Sequence, residues 1–400
     1  MKRLESESIL ERYDHEIKTM LAEGYAEIVD ENSLDAERVW YLPHHHVINP
    51  KKPEKLRVVF DCAAKFEGQS LNQRINQGPD LVNSLISVLL KFRLHAYAIQ
   101  ADIKGMYNQV AVPPQDRDVL RFLWQENGRL VHYRMKVHLF GGVWCSSVAT
   151  YALRKVVQDH PDVHPLLSNA ILQCMYVDDC LVSVGSKAEA ITLMDGLPQL
   201  LRTGGFVLTK FIANDEELLS GVPRAHTAKE VHEFLQKSVG RALGVQWNIY
   251  KDTFFYDVTP YESDEVTRRM MLKYIGSVFD PLGLSFPWVL PGRLVLQDAT
   301  KLGLAWDDAI PMDLLSRWHR WLNVLQGLRS VSFQRCLIET EFIDGFIEYH
   351  VFCDASQSAY GACVYLRCAS TRGRVVCNLV AAKGHVAPVN QQTVPRLELH

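Results

Sequence analysis

Two adjacent aspartates, Asp178 and Asp179, interrupt a stretch that is otherwise almost wholly apolar over residues 170–184. Carboxylates this close repel each other and resist ionising together. An apolar run broken near its centre by polar residues reads as a hairpin, with the acids at its turn. Aspartate is a common turn residue, so this segment alone fits a plain turn as well as a metal site. A divalent cation bound there removes the repulsion and leaves both acids charged.

A further acid changes the balance. Asp102 ends a compact apolar strand made of Tyr97, Ala98, Ile99, Gln100 and Ala101. If that strand and the hairpin share a sheet, three carboxylates face one point. Two Mg²⁺ ions about 3.5–4 Å apart need such a cluster to clamp an in-line phosphoryl displacement. Oxygen-only ligation suits Mg²⁺, which also takes oxygens from substrate phosphates, and Mn²⁺ fits the same donors.

The rest of the chain sets bounds on this reading. A length of 400 residues suggests two or three domains at about 150 residues each. No stretch of 18 apolar residues occurs, so a membrane span is not expected. The charged start Met1-Lys2-Arg3-Leu4-Glu5-Ser6-Glu7 has no apolar signal core. Nine cysteines, scattered from Cys62 to Cys377, form no Cys-x-x-Cys pair. They read as small buried hydrophobes in a reducing compartment, not as a disulfide framework or zinc ribbon. A net charge of −3 is low for a nucleic-acid binder, but charge can be local. Lys51-Lys52-Pro53-Glu54-Lys55-Leu56-Arg57 is such a basic patch. The run His44-His45-His46 alternates faces in an extended strand, so it reads as structural or surface and not as a zinc site.

Periodicity predicts an α+β chain. Helix is expected over residues 1–30, with Gly24 as its stop, and over 81–94, 146–158 and 188–202. Strands are expected at 120–124 and 131–137 around the turn Asn127-Gly128, and over 241–256. Residues 264–330 read as mostly helical, with Trp288, Trp306, Trp318 and Trp321 in the core. A new strand pattern starts at Ile347, and a helix start is expected at 394–399.

Several segments carry a family resemblance. Tyr176-Val177-Asp178-Asp179 resembles the signature hairpin of reverse transcriptases. Asp102-Ile103-Lys104-Gly105-Met106-Tyr107 resembles their first palm motif. His138-Leu139-Phe140-Gly141-Gly142 is similar to the next, with Ser146 where long-terminal-repeat elements usually carry proline. Gly204-Gly205-Phe206-Val207-Leu208-Thr209-Lys210 is similar to the one after, and Lys55-Leu56-Arg57-Val58-Val59-Phe60-Asp61 to the fingers strand. Ala242-Leu243-Gly244-Val245-Gln246-Trp247 resembles the segment that supports the primer end. Trp40-Tyr41-Leu42-Pro43-His44-His45-His46-Val47-Ile48, Tyr151-Ala152-Leu153-Arg154 and Phe279-Asp280-Pro281-Leu282-Gly283 are similar to BEL/Pao retrotransposon polyproteins. That resemblance runs from about Gly24 to the end.

The resemblance implies roles. Asp102, Asp178 and Asp179 are implied metal ligands and catalytic residues, with two Mg²⁺ as cofactors. Arg57, Lys51 and Lys52 are implied triphosphate ligands, and Phe140 and Gly141 lie under the template–nucleotide pair. Tyr107 is implied as the gate against a ribose 2′-hydroxyl, and Lys210 acts near the leaving pyrophosphate. Asp354 and Glu398 resemble the first two metal ligands of RNase H. That nuclease needs further acids downstream, so no RNase H activity is expected from this chain.

The implied architecture is a right-hand polymerase of fingers, palm and thumb, then a connection region and a truncated α/β RNase H-like domain. The expected boundaries are 1–39 for an N-terminal helical segment, 40–215 for fingers and palm, 216–345 for the primer-supporting segment, thumb and connection, and 346–400 for the RNase H-like part. The implied partners are an RNA or DNA template with primer, deoxynucleoside triphosphates and other parts of a retrotransposon polyprotein, with no membrane and an intracellular, cytoplasmic setting. The alternatives are a decayed retroelement fragment that only binds nucleic acid, and an RNA-dependent RNA polymerase, against which Tyr107 speaks.

Overall fold

The computed structural model describes residue 4 and residues 8–30, 37–50, 52–228, 239–262, 265–390 and 392–399. Helices and strands are mixed throughout, as the sequence pattern predicts. The chain divides into two compact units. The first holds residues 1–82, 103–172 and 197–208; the second holds 83–102, 173–196 and 209–400.

The first unit opens with the helix Leu10–Ala22, which buries Tyr13 and Ile17, four residues apart on one face. It stops earlier than residue 30. Gly24 takes a φ of +75°, Gly24 N donates to Leu21 O and Tyr25 N donates to Met20 O. That is a Schellman ending, which closes the last free carbonyls and turns the chain away. The next residues form the strand Ala26–Ile28, paired with Arg129–Met135. Arg129–Met135 pairs in turn with Arg121–Glu126 across Asn127-Gly128, both at positive φ, as a two-residue hairpin turn requires. Phe122 and Tyr133 are wholly buried in this sheet's core.

The histidine triplet lies in the strand His44–Asn49, whose burial alternates residue by residue. His44 Nε2 donates to Leu123 O at 2.9 Å, and its other ring nitrogen accepts from the Tyr13 hydroxyl. Both nitrogens are spent inside the core, and burial pushes the His44 pKa down. The structural reading of this run holds.

The second unit is built on a four-stranded sheet in the order Leu208–Ala213, Tyr97–Ile103, Asp179–Val184, Met175–Tyr176. The helix Leu85–Leu94 lays Val88, Leu89 and Phe92 into the core of this unit. The hairpin expected over 170–184 is shorter than its apolar run, because Pro165–Gln173 is helix. Its buried residues Leu167, Ala170 and Ile171 share one helical face, and a continuous apolar run does not separate helix from strand. A second sheet joins Val239–Ala242, Val245–Asn248, Thr253–Phe255 and Ser332–Gln334. The helices Arg268–Ser277, Phe286–Lys301 and Met312–Gln326 follow, with Trp318 and Trp321 buried. Trp306 is 45% exposed, contrary to its expected core role, and carries the Arg268 guanidinium over its ring. The last sheet joins Phe346–Ala355, Ala359–Ala369 and Val375–Val386.

All nine cysteines are free. Cys62, Cys145, Cys174, Cys180 and Cys368 are buried as expected, whereas Cys353 and Cys377 are exposed. Among the described residues no helix is long and apolar enough to cross a membrane.

One polar cluster ties the second unit together. Arg335 is fully buried. It donates to the carbonyls of Phe92, His95 and Ala96 and, through two nitrogens, to both oxygens of Asp252. Asp252 also accepts from Trp247 Nε1 and Asn214 Nδ2. Removing one partner of a buried charged network leaves the others unpaired. Arg335→Leu is therefore expected to lower unfolding stability by roughly 3–5 kcal/mol in urea titrations. Arg269→Ala, which breaks a pair with Asp307 that is exposed on both sides, should leave the unfolding midpoint near that of the parent. Equal effects from the two substitutions would contradict this account.

Candidate active site

Strand pairing brings the acids together. Asp179–Val184 runs antiparallel to Tyr97–Ile103, and Asp179 stands opposite Asp102. Asp179 is also paired with Tyr176, so Val177 and Asp178 form a two-residue loop between them. The ladder behind these residues is apolar and closed: Ala98, Ile99, Ala101, Cys180, Leu181 and Val182 are all buried. Asn83 Nδ2 donates to Met175 O and fixes the short arm of the hairpin.

Val177 takes a φ of +53°. For a β-branched residue this is a strained conformation, costing on the order of 1–3 kcal/mol. Lys210, in the neighbouring strand, takes +56°. Its ammonium lies 2.9 Å from Asp102 Oδ1, and Thr209 Oγ1 donates to Asp102 O. Lys210, carried over from the resemblance, thus meets Asp102 directly.

Charge in this cluster is only partly compensated. Burial pushes the Asp179 carboxyl up to about 6, Asp178 and Asp102 add repulsion, and Lys210 opposes them. Burial and Asp102 push Asp178 up as well, against its own backbone N–H and Lys210. Among the described residues no three His, Cys, Asp or Glu side chains already converge as ligands of one ion. Asp102, Asp178 and Asp179 gather at one end of the sheet, with the Asp102 carboxylate paired to Lys210. The donors are all oxygen and short of positive charge. They fit a hard divalent cation whose remaining ligands come from a substrate's phosphates.

Other sequence-predicted residues fall in the first unit. The Tyr107 ring packs edge-on against Phe140, with centroids 4.7 Å apart. Phe140 is 53% exposed. Gly141 has a φ of +109°, and a Cβ there would lie 2.7 Å from Phe60 O, so no other residue fits without movement. Asn72 straps this turn, donating to Gly141 O at 3.1 Å and accepting from Val143 N at 3.0 Å. The helix Cys145–Gln158 starts without the proline that Ser146 replaces. Arg57 is exposed in the strand Lys52–Phe60, opposite Val47. Lys52 belongs to that strand by its backbone, and Lys51 lies outside the described residues.

In the second unit, Asp354 and Glu398 line one cavity of about 240 Å³ together with Tyr360, Lys383 and His385. The two implied RNase H-like acids are thus brought together, at the end of Phe346–Ala355 and in the short helix Val394–Glu398. Sequence reasoning missed Asn72, Asn83 and Asn214. Each supports a carboxylate-bearing strand or a motif turn through a partner far along the chain, and no local pattern announces such contacts.

The raised Asp179 pKa has a stability consequence. A carboxyl whose folded-state value lies above its ordinary 3.8 stabilises the fold while protonated. That contribution is complete below the ordinary value and is lost as pH rises through about 6. Asp179→Asn should therefore unfold at higher urea than the parent at pH 7.5, by roughly 1–3 kcal/mol, and at the same urea at pH 3.5. Added Mg²⁺ should narrow the gap at pH 7.5. A variant less stable than the parent at pH 7.5 would count against the repulsion.

Comparison with known proteins finds structures similar in fold. No curated protein matches the chain in sequence. Solved structures match its fold. A foamy viral protease-reverse transcriptase dRH in complex with double-stranded DNA aligns with a TM-score of 0.60 at 13% identity, covering 95% of this chain and 56% of that one. The foamy viral protease-reverse transcriptase in complex with RNA/DNA hybrid aligns with a TM-score of 0.55 at 13% identity, over 96% of this chain and 44% of that one. The same protein in complex with dsDNA gives 0.55 at 13% identity, over 93% and 65%. The chain thus spans between about half and two thirds of the length of these structures. A family model described as the Pao retrotransposon-like RNaseH-like domain matches residues 267–400. The resemblance to Pao-type retroelements is borne out there: residues 267–400 match the Pao retrotransposon-like RNaseH-like family model, in a chain whose fold is similar to that of the foamy viral protease-reverse transcriptase.

Proposed function

We propose that this chain is the reverse transcriptase of a retrotransposon, adding deoxynucleotides to a primer 3′-hydroxyl on an RNA or DNA template. The observation that carries this reading is the pairing of Asp179 with Asp102, with Asp178 in the adjoining two-residue loop. In this reading residues 40–215 are fingers and palm, 216–345 carry the primer-supporting segment, thumb and connection, and 346–400, the later part of the span matched by the RNaseH-like family model, hold Asp354 and Glu398. The fold likeness to proteins solved with DNA and with RNA/DNA hybrid supports a nucleic-acid partner.

Asp102, Asp178 and Asp179 would hold two Mg²⁺, or Mn²⁺ in their place. Bound there, the ions supply the charge that activates the 3′-hydroxyl and offsets charge building on the triphosphate. The protein's own residues do the rest. Arg57, exposed in its strand, presents a planar fork that can donate two parallel bonds to phosphate oxygens. Lys51 and Lys52, close by in sequence, would add positive charge. The Tyr107 ring, packed edge-on against Phe140, would be the gate against a ribose 2′-hydroxyl. Gly141 lets its turn pack against the Phe60 carbonyl, where a Cβ has no room, and the turn would lie under the template–nucleotide pair. Lys210 donates toward the leaving pyrophosphate.

Primer extension on an RNA template tests this reading. The parent chain should extend with deoxynucleotides, and Asp178→Asn should lose at least about a hundredfold in rate. Tyr107→Ala should keep extending and accept ribonucleotides more readily. Template binding with extension no better than Asp178→Asn would leave a nucleic-acid-binding fragment in place of an enzyme.

A further inference from the structure

We infer that Lys210 is a tethered counter-ion that occupies the place of a divalent cation at Asp102 and must leave before the metal binds. The inference rests on the polymerase reading and deepens it. Three observations carry it. The Lys210 ammonium lies 2.9 Å from Asp102 Oδ1, within direct ion-pair distance. Asp102 stands across the ladder from Asp179, so the ammonium answers the charge of the cluster from the one oxygen it touches. The Lys210 backbone sits at a φ of +56°, in the left-handed region, which is costly for a residue with a long side chain. A plain strand lysine would relax to extended backbone and point into water. Here the strained backbone is retained with the ammonium at the carboxylate.

The pair is also built to break. The Lys210 side chain is 64% exposed and that of Asp102 is 22% exposed. An ammonium on a flexible stem at such a site is held weakly and exchanges readily with solvent. A divalent ion carries twice the charge of the ammonium and brings no strained backbone. It displaces Lys210, and the freed ammonium is left on its tether beside the site. Lys210 therefore taxes metal binding in the absence of substrate, and the tax is lifted when a substrate brings phosphates that Lys210 can pair with instead. Metal and triphosphate should then bind with positive cooperativity, by linkage through one side chain.

The test titrates Mn²⁺ alone into the full chain and follows free Mn²⁺ by electron paramagnetic resonance, with no nucleotide present. Lys210→Asn removes the cation and suits a left-handed backbone. It should bind Mn²⁺ about two- to fivefold more tightly than the parent. Lys210→Gly, which also suits that backbone, should agree with it and guards against a folding artefact in either variant. Lys210→Arg keeps the charge and should stay close to the parent. In an Asp102→Asn background the gain should vanish, because the ion pair is already gone. Equal affinity for parent and Lys210→Asn would overturn the inference. So would a gain that persists undiminished with Asp102→Asn, which would mark a general field effect. Saturable binding to none of the chains would instead sink the two-metal reading on which the inference rests.

Discussion

The antiparallel pairing of Asp179–Val184 with Tyr97–Ile103 is the constraint on which the site depends. Six register pairs, from Asp179↔Asp102 to Val184↔Tyr97, lock two segments nearly eighty residues apart in sequence. Both faces of these strands are packed, so a slip of one residue would carry Asp179 past Asp102 and exchange side chains of different size between the two packed faces. Burial of Ala98, Ile99, Ala101, Leu181 and Val182 forbids that slip. The position of the acids is thus a by-product of hydrophobic packing behind them. No contact between the carboxylates themselves could hold them there, because they repel.

The other end of the same ladder is held by polar groups. Asn214 accepts from Ala98 N and donates to Ala96 O. Arg335 reaches Ala96 O and His95 O from a point about 240 residues along the chain. Asp252 joins the two. Main-chain groups just before a strand have lost their ladder partners and must find others. Here a buried guanidinium and a side-chain amide supply them, fixing the strand's start while packing fixes its middle. The Asp102 end is left as the open end of a rigid element, which is where a preorganised group is best carried.

Much of this was legible in the sequence, for definite reasons. The strand Tyr97–Ile103 announces itself because it is short, apolar and ends in an acid. Asn127-Gly128 marks its hairpin because few other pairs take two positive φ angles in a row. The helix Leu10–Ala22 shows by its spacing, but its end is set by a Schellman closure that periodicity does not see. The run over 170–184 misleads because Pro165–Gln173, buried on one face, reads like strand when every residue near its end is apolar. Asp102, Asp178 and Asp179 could be picked out as acids in apolar surroundings. The turn of Asp102 toward Lys210 could not, since it depends on a left-handed lysine that no residue pattern encodes. Asn72, Asn214 and Arg335 were invisible for the same reason: their partners lie tens to hundreds of residues away.

A plain turn does not account for Asp178-Asp179. A hairpin turn chosen for stability would place Gly or Asn at its first central position, yet Val177 stands there at a φ of +53°. It would expose its acids, yet burial holds Asp179 up at about 6. It would leave the neighbouring strand extended, yet Lys210 is bent into the left-handed region against Asp102. Each departure costs stability, and all fall at one end of one sheet, while the ladder behind them is regular and well packed. Left-handed backbone occurs elsewhere too, at Glu67, Leu243 and Asp252, but only here does it coincide with a buried carboxylate of raised pKa and a lysine ion pair among the described residues, the combination on which the proposed ligand site rests. The cluster is short of positive charge, as the proposed divalent cation would require.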